Sequence, residues 1–203
     1  MVQKEKLKRG RPRAYDPEAA LDSVLDVFWR AGYAASSLDD ICQATGMNRP
    51  SVYAAFGDKR ALFLKAIDRY REISRGHMRA SFGAEMPIRR KLKGAYDRAL
   101  NLYYSGAGTP LGCFMVGAVV NEAVGDPEIR AAFAEGLKQF DLAFTEQIRA
   151  AQARGEIDAR KDAEALGQIA SSALYYLATR SRAGEDRAVL EKFVDKTIEL
   201  ICA

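Results

Sequence analysis

Residues 36–57, SSLDDICQATGMNRPSVYAAFG, constrain the fold more than any other stretch because they predict two short helices joined by a tight turn. Ser37 lies three residues before Asp40, a spacing at which each side chain can accept a hydrogen bond from a free backbone N–H at a helix start. We therefore expect a helix from Leu38, and Gly46 provides the backbone freedom that ends it. Residues at i, i+3, i+4 and i+7 form its inward face: Leu38, Ile41, Cys42 and Thr45.

The second helix of this stretch has a polar outer face. Asn48 is a favourable N-cap, and Pro50 is tolerated in a first turn whose N–H groups have no helical partners. Val52 and Phe56 point inward, which leaves four residues outside: Arg49, Ser51, Tyr53 and Ala54. An arginine fork suits guanine, hydroxyls suit phosphates or bases, and a methyl group suits thymine. The pattern therefore fits the major groove of DNA, although an ordinary helical hairpin with a solvated outer face has it too.

The longer segment 15–67 resembles the N-terminal DNA-binding domain of the TetR family of transcriptional repressors. The resemblance rests on the aromatic pair and Gly-Tyr exit of the first helix, on the Thr-Gly turn, and on a Ser-Val-Tyr-x-x-Phe-x-x-Lys run. These are Phe28, Trp29, Gly32 and Tyr33, then Thr45 and Gly46, then residues 51–59.

The resemblance implies roles for individual residues. The helix from Arg49 would be the recognition helix, Tyr53 would contact a phosphate, and Lys59 would contact the DNA backbone from the start of the fourth helix. We expect contacts with a double-stranded operator from seven residues here: Ser37, Asn48, Arg49, Pro50, Ser51, Tyr53 and Lys59.

Positive charge is concentrated at the N-terminus. Residues 1–13 hold six basic residues and one acidic residue, and the remainder has 25 basic and 26 acidic residues. Such a run is often only a solvated end. However, the Arg9-Gly10-Arg11-Pro12 sequence resembles an AT-hook core, which lays two arginines along an A·T-rich minor groove, and Gly and Pro favour that extended shape. We therefore predict a flexible basic arm over residues 1–13, with Arg9 and Arg11 as DNA contacts.

Composition excludes several classes of protein. The chain has 203 residues, 48% of them hydrophobic, and no apolar run approaches the roughly 20 residues of a membrane span. The N-terminus is too charged for a secretory signal, so we expect a cytoplasmic protein. The chain has three cysteines, an odd number without metal-ligand spacing, so we expect neither a disulfide framework nor a metal site. It has one histidine, His77, and no catalytic constellation is found around it. We therefore predict that the protein is not an enzyme and needs no cofactor.

Helical periodicity extends through the chain and predicts an all-α fold. The first helix should begin after Asp16 and stop at Gly32, and a fourth helix should begin after Asp58 and continue past Arg71. Glycines and a proline interrupt the pattern over residues 76–87. We divide the chain accordingly into a basic arm (1–13), a helix-turn-helix domain (14–75) and a helical effector-binding and dimerisation domain (76–203).

The C-terminal part is predicted to form a bundle. One helix follows Pro87, and the all-apolar sequence LGCFMVGAVV should form a buried central helix. A long amphipathic helix should run from Asp126-Pro127 to near Gly155, followed by helices near 162–180 and 186–201. By resemblance, the last two helices would form a four-helix bundle with a second subunit, and a two-fold dimer would bind a palindrome. Their periodicity is equally compatible with an intramolecular core.

A small-molecule effector site is expected between the middle helices. By resemblance this region binds a ligand, and its apolar residues are rich in rings and sulfur: Met86, Tyr96, Tyr103, Cys113, Phe114, Phe140, Phe144 and Tyr176. The same residues can be plain core. Cys113 follows a Gly/Pro-rich loop at a predicted helix start, where the helix dipole would favour a reactive thiolate; the alternative is a small buried hydrophobic residue.

The sequence thus predicts an effector-responsive, homodimeric repressor of the TetR type, released from its operator by a small molecule or by thiol modification. An activator, a low-specificity DNA binder, or a helical small-molecule-binding protein with an accessory DNA module are the alternatives.

Overall fold

The computed structural model describes residues 16–105 and 108–203. The basic arm, with Arg9 and Arg11, lies outside the described residues. Within the described ranges the fold is all-α, as predicted, and contains no strand. The helices are α1 (Pro17–Ala35), α2 (Leu38–Thr45), α3 (Arg49–Phe56), α4 (Lys59–Phe82), α5 (Ile88–Tyr103), α6 (Val120–Glu122), α7 (Pro127–Ala153), α8 (Ala163–Arg182) and α9 (Arg187–Ile201), with a π-helix (Met115–Val119) directly before α6.

Short polar side chains determine where most of these helices begin. Each accepts hydrogen bonds from backbone N–H groups that have no partner within the helix, which stabilises the first turn. The caps of α1, α2, α3, α4, α7, α8 and α9 are Asp16, Ser37, Asn48, Asp58, Asp126, Asp162 and Asp186. The predicted helix starts are therefore confirmed.

The first helix bends where its end was predicted. Gly32 has φ 78° and ψ 173°, outside the helical region, but a short helical segment follows to Ala35. The continuous helical conformation of α1 therefore stops at Gly32, as predicted, and residues 33–35 form a short helical segment beyond the kink. The kink directs the chain into α2, which packs against α1 through the fully buried Ile41.

Helix α4 is longer than the sequence pattern suggested. It runs through Gly76 to Phe82, so the interruption predicted over residues 76–87 is confined to 83–87. The buried ammonium of Lys91 donates a hydrogen bond of 2.9 Å to the carbonyl of Phe82 and so satisfies a C-terminal acceptor of α4. One continuous helix therefore reaches from the helix-turn-helix to the C-terminal bundle.

Aromatic rings join these two regions. The ring of Phe63 on α4 lies 5.0 Å from that of Phe28 and 5.7 Å from that of Phe114, measured between centroids. Trp29 packs edge-on against Tyr70 at 5.1 Å. Because these side chains are almost completely buried, the N-terminal helices and the start of the π-helix share one hydrophobic core.

The apolar segment 111–120 differs from the predicted buried α-helix. Its central turn is a π-helix, and Val120 is 36% exposed. A Cβ atom on Gly117 would lie 2.6 Å from a guanidinium nitrogen of Arg182, so the end of that flexible side chain packs directly on the π-helix. The segment is therefore covered on one side and partly open on the other.

Helices α7 and α8 cross at close range. A Cβ atom on Gly167 would lie 2.1 Å from the Oγ1 atom of Thr145, so no larger residue fits without movement. The opposite face of α8 is open, and Ile169 on that face is 54% exposed. Among the described residues no helix is both long and apolar enough to cross a membrane.

Candidate nucleic-acid interface and ligand cavity

Helix α3 presents its polar side chains to solvent. The side-chain oxygen of Asn48 accepts a 2.9 Å hydrogen bond from the backbone N–H of Ser51, while Val52 and Phe56 anchor the inner face. Four residues of the outer face are exposed: Arg49, Pro50, Tyr53 and Ala54. Tyr53 is 48% exposed, although a tyrosine ring is usually buried in part, so its hydroxyl is available to a partner.

A capping box fixes the start of α2, the helix that precedes α3. The backbone N–H of Ser37 donates to the Asp40 carboxylate at 2.8 Å, and the backbone N–H of Asp40 donates to the Ser37 hydroxyl at 3.1 Å. Gly46 follows in the left-handed conformation, with φ 67°. Ser37 and Asn48, both predicted to contact DNA, are thus exposed helix caps in this structure, and their DNA contacts remain a prediction.

Arg49 has a partner that the sequence did not reveal. Its Nε and Nη2 atoms donate to the two carboxylate oxygens of Asp39 at 3.0 and 2.6 Å, across the turn between α2 and α3. The bidentate contact raises the pKa of Arg49 and lowers that of Asp39. These donors are the ones that a guanine would require, so a base bound by Arg49 would have to displace Asp39.

The first turn of α4 makes two further contacts. The Lys59 ammonium lies 4.5 Å from the centroid of the Tyr33 ring, a cation–π arrangement that holds it near the end of α3. Arg60 donates to the Asp126 carboxylate at 2.5 and 2.9 Å and to Glu128 at 2.8 Å. Arg60 therefore connects the start of α4 with the start of α7.

This connection has an electrostatic consequence. Hydrogen bonds from Arg60, together with the backbone N–H groups of α7, lower the pKa of Asp126 to about 2. Asp126 is thus both the cap of α7 and the partner of α4. The pairing joins residues 66 positions apart, so no local pattern could have predicted it.

The structure does not bring the eight predicted effector residues together. Tyr96, Phe114 and Phe144 are fully buried, and the rings of Tyr96 and Phe144 stack at 5.9 Å. The Tyr96 hydroxyl donates to the carbonyl of Ala170 at 2.9 Å. These three side chains are therefore core, the alternative that their spacing left open.

Two other predicted residues lie outside the space between α4 and α7. Met86 is half-buried in the connection between α4 and α5. Tyr176 is 43% exposed on the outer face of α8, where its ring stacks on Phe193 at 4.2 Å. Neither is placed to line a ligand site between the middle helices.

A cavity of about 200 Å³ lies between α4 and α7. An adjoining hollow of about 30 Å³ reaches α5 and is lined by His77 and Tyr103. Phe140 lines both spaces, as do Tyr70, Ser74 and Met78. Of the predicted pocket residues, Phe140 thus borders the cavity and Tyr103 borders only the adjoining hollow. The lining side chains of α4 were not predicted, because their periodicity is also that of an ordinary amphipathic helix.

Cys113 lies two residues before the first residue of the π-helix, but it is only 4% exposed. The Tyr70 hydroxyl donates to its sulfur at 3.2 Å. Burial raises the pKa of the Cys113 thiol, which contradicts the expectation of a thiolate favoured by the helix dipole. A surface groove of about 280 Å³, bordered also by Gly117 and Arg182, leads to the residue.

The outer face of α8 and α9 is apolar. Ile169, Tyr176 and Leu200 are 54%, 43% and 76% exposed. The first two line a groove of about 500 Å³ between the helices, and Leu200 borders it from α9. Large exposed apolar patches of this kind are typical of protein–protein contacts.

Two family models match separate parts of this chain. Residues 20–66 match the model described as bacterial regulatory proteins, tetR family, and residues 90–197 match the tetracyclin repressor-like C-terminal domain. The HTH-type transcriptional repressor ComR of Escherichia coli (strain K12) is 29% identical over 196 residues, which span 96% of this chain and 93% of ComR.

Solved structures agree with this grouping. A cysteine mutant of the TetR family transcriptional regulator CifR, complexed with 26-bp double-strand operator DNA, superposes with a TM-score of 0.82 at 28% identity, covering 93% of this chain and 98% of that chain. A TetR-family regulator from Cytophaga hutchinsonii shares the fold, with a TM-score of 0.79 at 20% identity and coverage of 91% and 92%. Since the two family models together span both the helix-turn-helix and the C-terminal bundle, this chain belongs to the TetR family of transcriptional regulators.

Proposed function

We propose that the protein is a repressor that binds a palindromic operator as a homodimer and releases it when a ligand or a thiol modification acts on the C-terminal helices. In this proposal residues 14–75 bind DNA, residues 76–203 bind the effector and form the dimer, and residues 1–13 form an arm that adds contacts through Arg9 and Arg11.

The exposed face of α3 is the observation that carries the proposal. Arg49, Ser51 and Tyr53 lie together on a short helix whose other face is anchored by buried side chains. Lys59, at the start of the next helix, adds a positive charge near the end of α3. This combination suits a major groove flanked by phosphates. The operator complex of CifR and the repressor name of ComR support the same function here.

A second copy of the chain is the partner that we propose for the α8–α9 face. One recognition helix covers only a few base pairs, and a two-fold dimer places two such helices about one DNA turn apart. The exposed Ile169, Tyr176 and Leu200 give an apolar surface that a symmetric partner would bury. The operator would then consist of two inverted half-sites.

Release would act through α4. This helix carries Lys59 and Arg60 at one end and borders the α4–α7 cavity further along. A ligand that changes the separation of α4 and α7 would strain the contact of Arg60 with Asp126 and shift the recognition helix. Modification of Cys113 would act on the same helix through Tyr70, although burial and the raised pKa make this the slower route.

The test is to sequence the DNA retained by the purified full-length protein and then to measure its affinity for the recovered site and for a scrambled duplex at one stated salt concentration. We expect an inverted repeat, a ratio of about 10³ or more, and a protein dimer on the DNA. A ratio near one would show a low-specificity DNA binder instead. Transcription in vitro from the recovered site should fall when the protein is added, and a rise would identify an activator.

A further inference from the structure

One wall of the α4–α7 cavity is cationic. Arg71, Arg75 and Arg79 follow each other at intervals of four residues on α4, so they lie along one side of the helix, and all three line the cavity. The lining contains no carboxylate. The charge of this wall is therefore positive and has no counter-charge within the cavity.

The three arginines differ in whether they form an ion pair. Arg71 lies 3.3 Å from the carboxylate of Asp68 on its own helix. The guanidinium groups of Arg75 and Arg79 form no ion pair or hydrogen bond with another side chain of the described ranges, and both residues are exposed. They stand at the solvent end of the cavity with their donors available to a ligand.

The opposite end of the cavity is apolar. Tyr70 and Met115 are 2% and 3% exposed there, beside the half-buried Phe140. Gly136 of α7 contributes space, since a Cβ atom at this position would lie 3.1 Å from the terminal methyl of Met115. An apolar group that entered past the arginines would contact aromatic rings and the thioether of Met115. Such side chains commonly line small-molecule pockets.

The size of the cavity limits what can enter. A volume of about 200 Å³ slightly exceeds the roughly 150 Å³ of an apolar cavity that holds benzene. One ring or one short alkyl chain fits, with a polar group left at the arginine end. A guanidinium pair binds a carboxylate or phosphate better than any neutral group.

We propose that the α4–α7 cavity binds a small amphipathic organic anion, with its carboxylate on Arg75 and Arg79 and its ring or alkyl chain on Tyr70, Met115 and Phe140. This inference names the chemical class of the effector and so rests on the proposed function for its regulatory meaning. The binding itself can be measured without DNA.

The probes are phenylacetate and hexanoate, each compared with its neutral amide, phenylacetamide or hexanamide, by calorimetry on the full-length protein. Charge-assisted hydrogen bonds predict that at least one carboxylate binds about tenfold or more tightly than its amide. The variant Arg75→Gln/Arg79→Gln should remove that preference. The control Arg90→Gln/Arg149→Gln removes the same charge from exposed positions outside the cavity lining and should keep it.

A third variant locates the site independently of charge. Gly136→Leu fills the apolar end beside Met115 and leaves the arginines in place, so it should abolish binding of the carboxylate. The inference is wrong if no carboxylate binds better than its amide, if the control variant loses the preference as fully as the cavity variant, or if Gly136→Leu still binds. Operator release is then measured by fluorescence anisotropy, and a carboxylate that binds in the cavity without releasing the operator would refute the release step of the proposed function while leaving the ligand class intact.

Discussion

The contact between Asp39 and Arg49 predicts that removing a carboxylate will strengthen DNA binding. In the free protein the Arg49 fork is held by both carboxylate oxygens of Asp39. The variant Asp39→Asn keeps the shape of the side chain and removes its charge. The Arg49 guanidinium can then form hydrogen bonds with a base, and the protein surface repels the DNA phosphates with one negative charge fewer.

The size of the effect follows from exposure. The side chains of Arg49 and Asp39 are 58% and 72% exposed, so solvent screens their attraction, and an ion pair of this kind shifts an equilibrium by up to about fivefold. Affinity for the operator should therefore rise by up to about fivefold. In the Arg49→Ala background the part of the gain that comes from freeing Arg49 should disappear.

Fluorescence anisotropy with labelled operator and scrambled duplexes measures both effects. Asp26→Asn is the matched control, because Asp26 forms a similarly exposed pair with Arg30 on α1, at 2.7 Å. This control should change affinity much less. A loss of operator affinity for Asp39→Asn would refute the reasoning, since it would show that Asp39 orients Arg49 on the DNA and does not compete with it.

Three further predictions address the arm, the contact between α4 and α7, and the thiol. Deletion of residues 1–13 should flatten the slope of log affinity against log salt by about 0.9 for each phosphate that the arm neutralises, measured by anisotropy. Asp126→Asn should retain the cap of α7 but lose the charge that pairs with Arg60, which removes one acid-sensitive contribution to folding. Because pairing lowers the pKa of Asp126 from 3.8 to about 2, its stabilising effect is complete above pH 3.8 and is lost as the pH falls towards 2. Wild type should therefore lose more stability than Asp126→Asn over that range in denaturant unfolding. In a gel shift with a quinone, wild type should release the operator and Cys113→Ser should hold it.

Each of these has an opposing outcome. An unchanged salt slope after deletion would make the arm a solvated end. For the pH prediction, Asp162→Asn is the control, because Asp162 caps α8 in the same manner with no arginine partner among the described residues. Equal acid sensitivity of wild type and Asp126→Asn would show that Arg60 contributes nothing through that carboxylate. If both proteins or neither release the operator with quinone, Cys113 is not the switch.

Local chemistry made much of the fold predictable. The capping box of Ser37 and Asp40 involves atoms three residues apart, so the sequence contains all of its parts. The same holds for Asn48 before α3 and for Asp126 before α7. The effect of a single glycine was harder to predict. Gly76 lies within the unbroken α4, because the apolar residues on both sides of it stabilise the helix more than one weak helix former destabilises it.

The site was less predictable because its parts are distant in sequence. Arg60 meets Asp126 across 66 residues, and Arg49 meets Asp39 across a turn whose geometry decides the distance. The spacing of aromatic residues does not show which rings are packed in the core and which line a cavity. Phe144 was therefore predicted as a pocket residue together with Phe140, although Phe144 is fully buried and Phe140 borders the cavity. That distinction depends on how helices pack, which periodicity does not specify.

Recognition of the DNA sequence by α3 is tested most directly by comparing Arg49→Ala with Tyr53→Phe on operator and scrambled duplexes. If Arg49 binds a base, Arg49→Ala should weaken operator binding by about five- to 150-fold and random binding much less. If Tyr53 contacts a phosphate, Tyr53→Phe removes only that contact and should weaken both duplexes alike. Equal losses on the two duplexes for Arg49→Ala would contradict a sequence-reading role for α3.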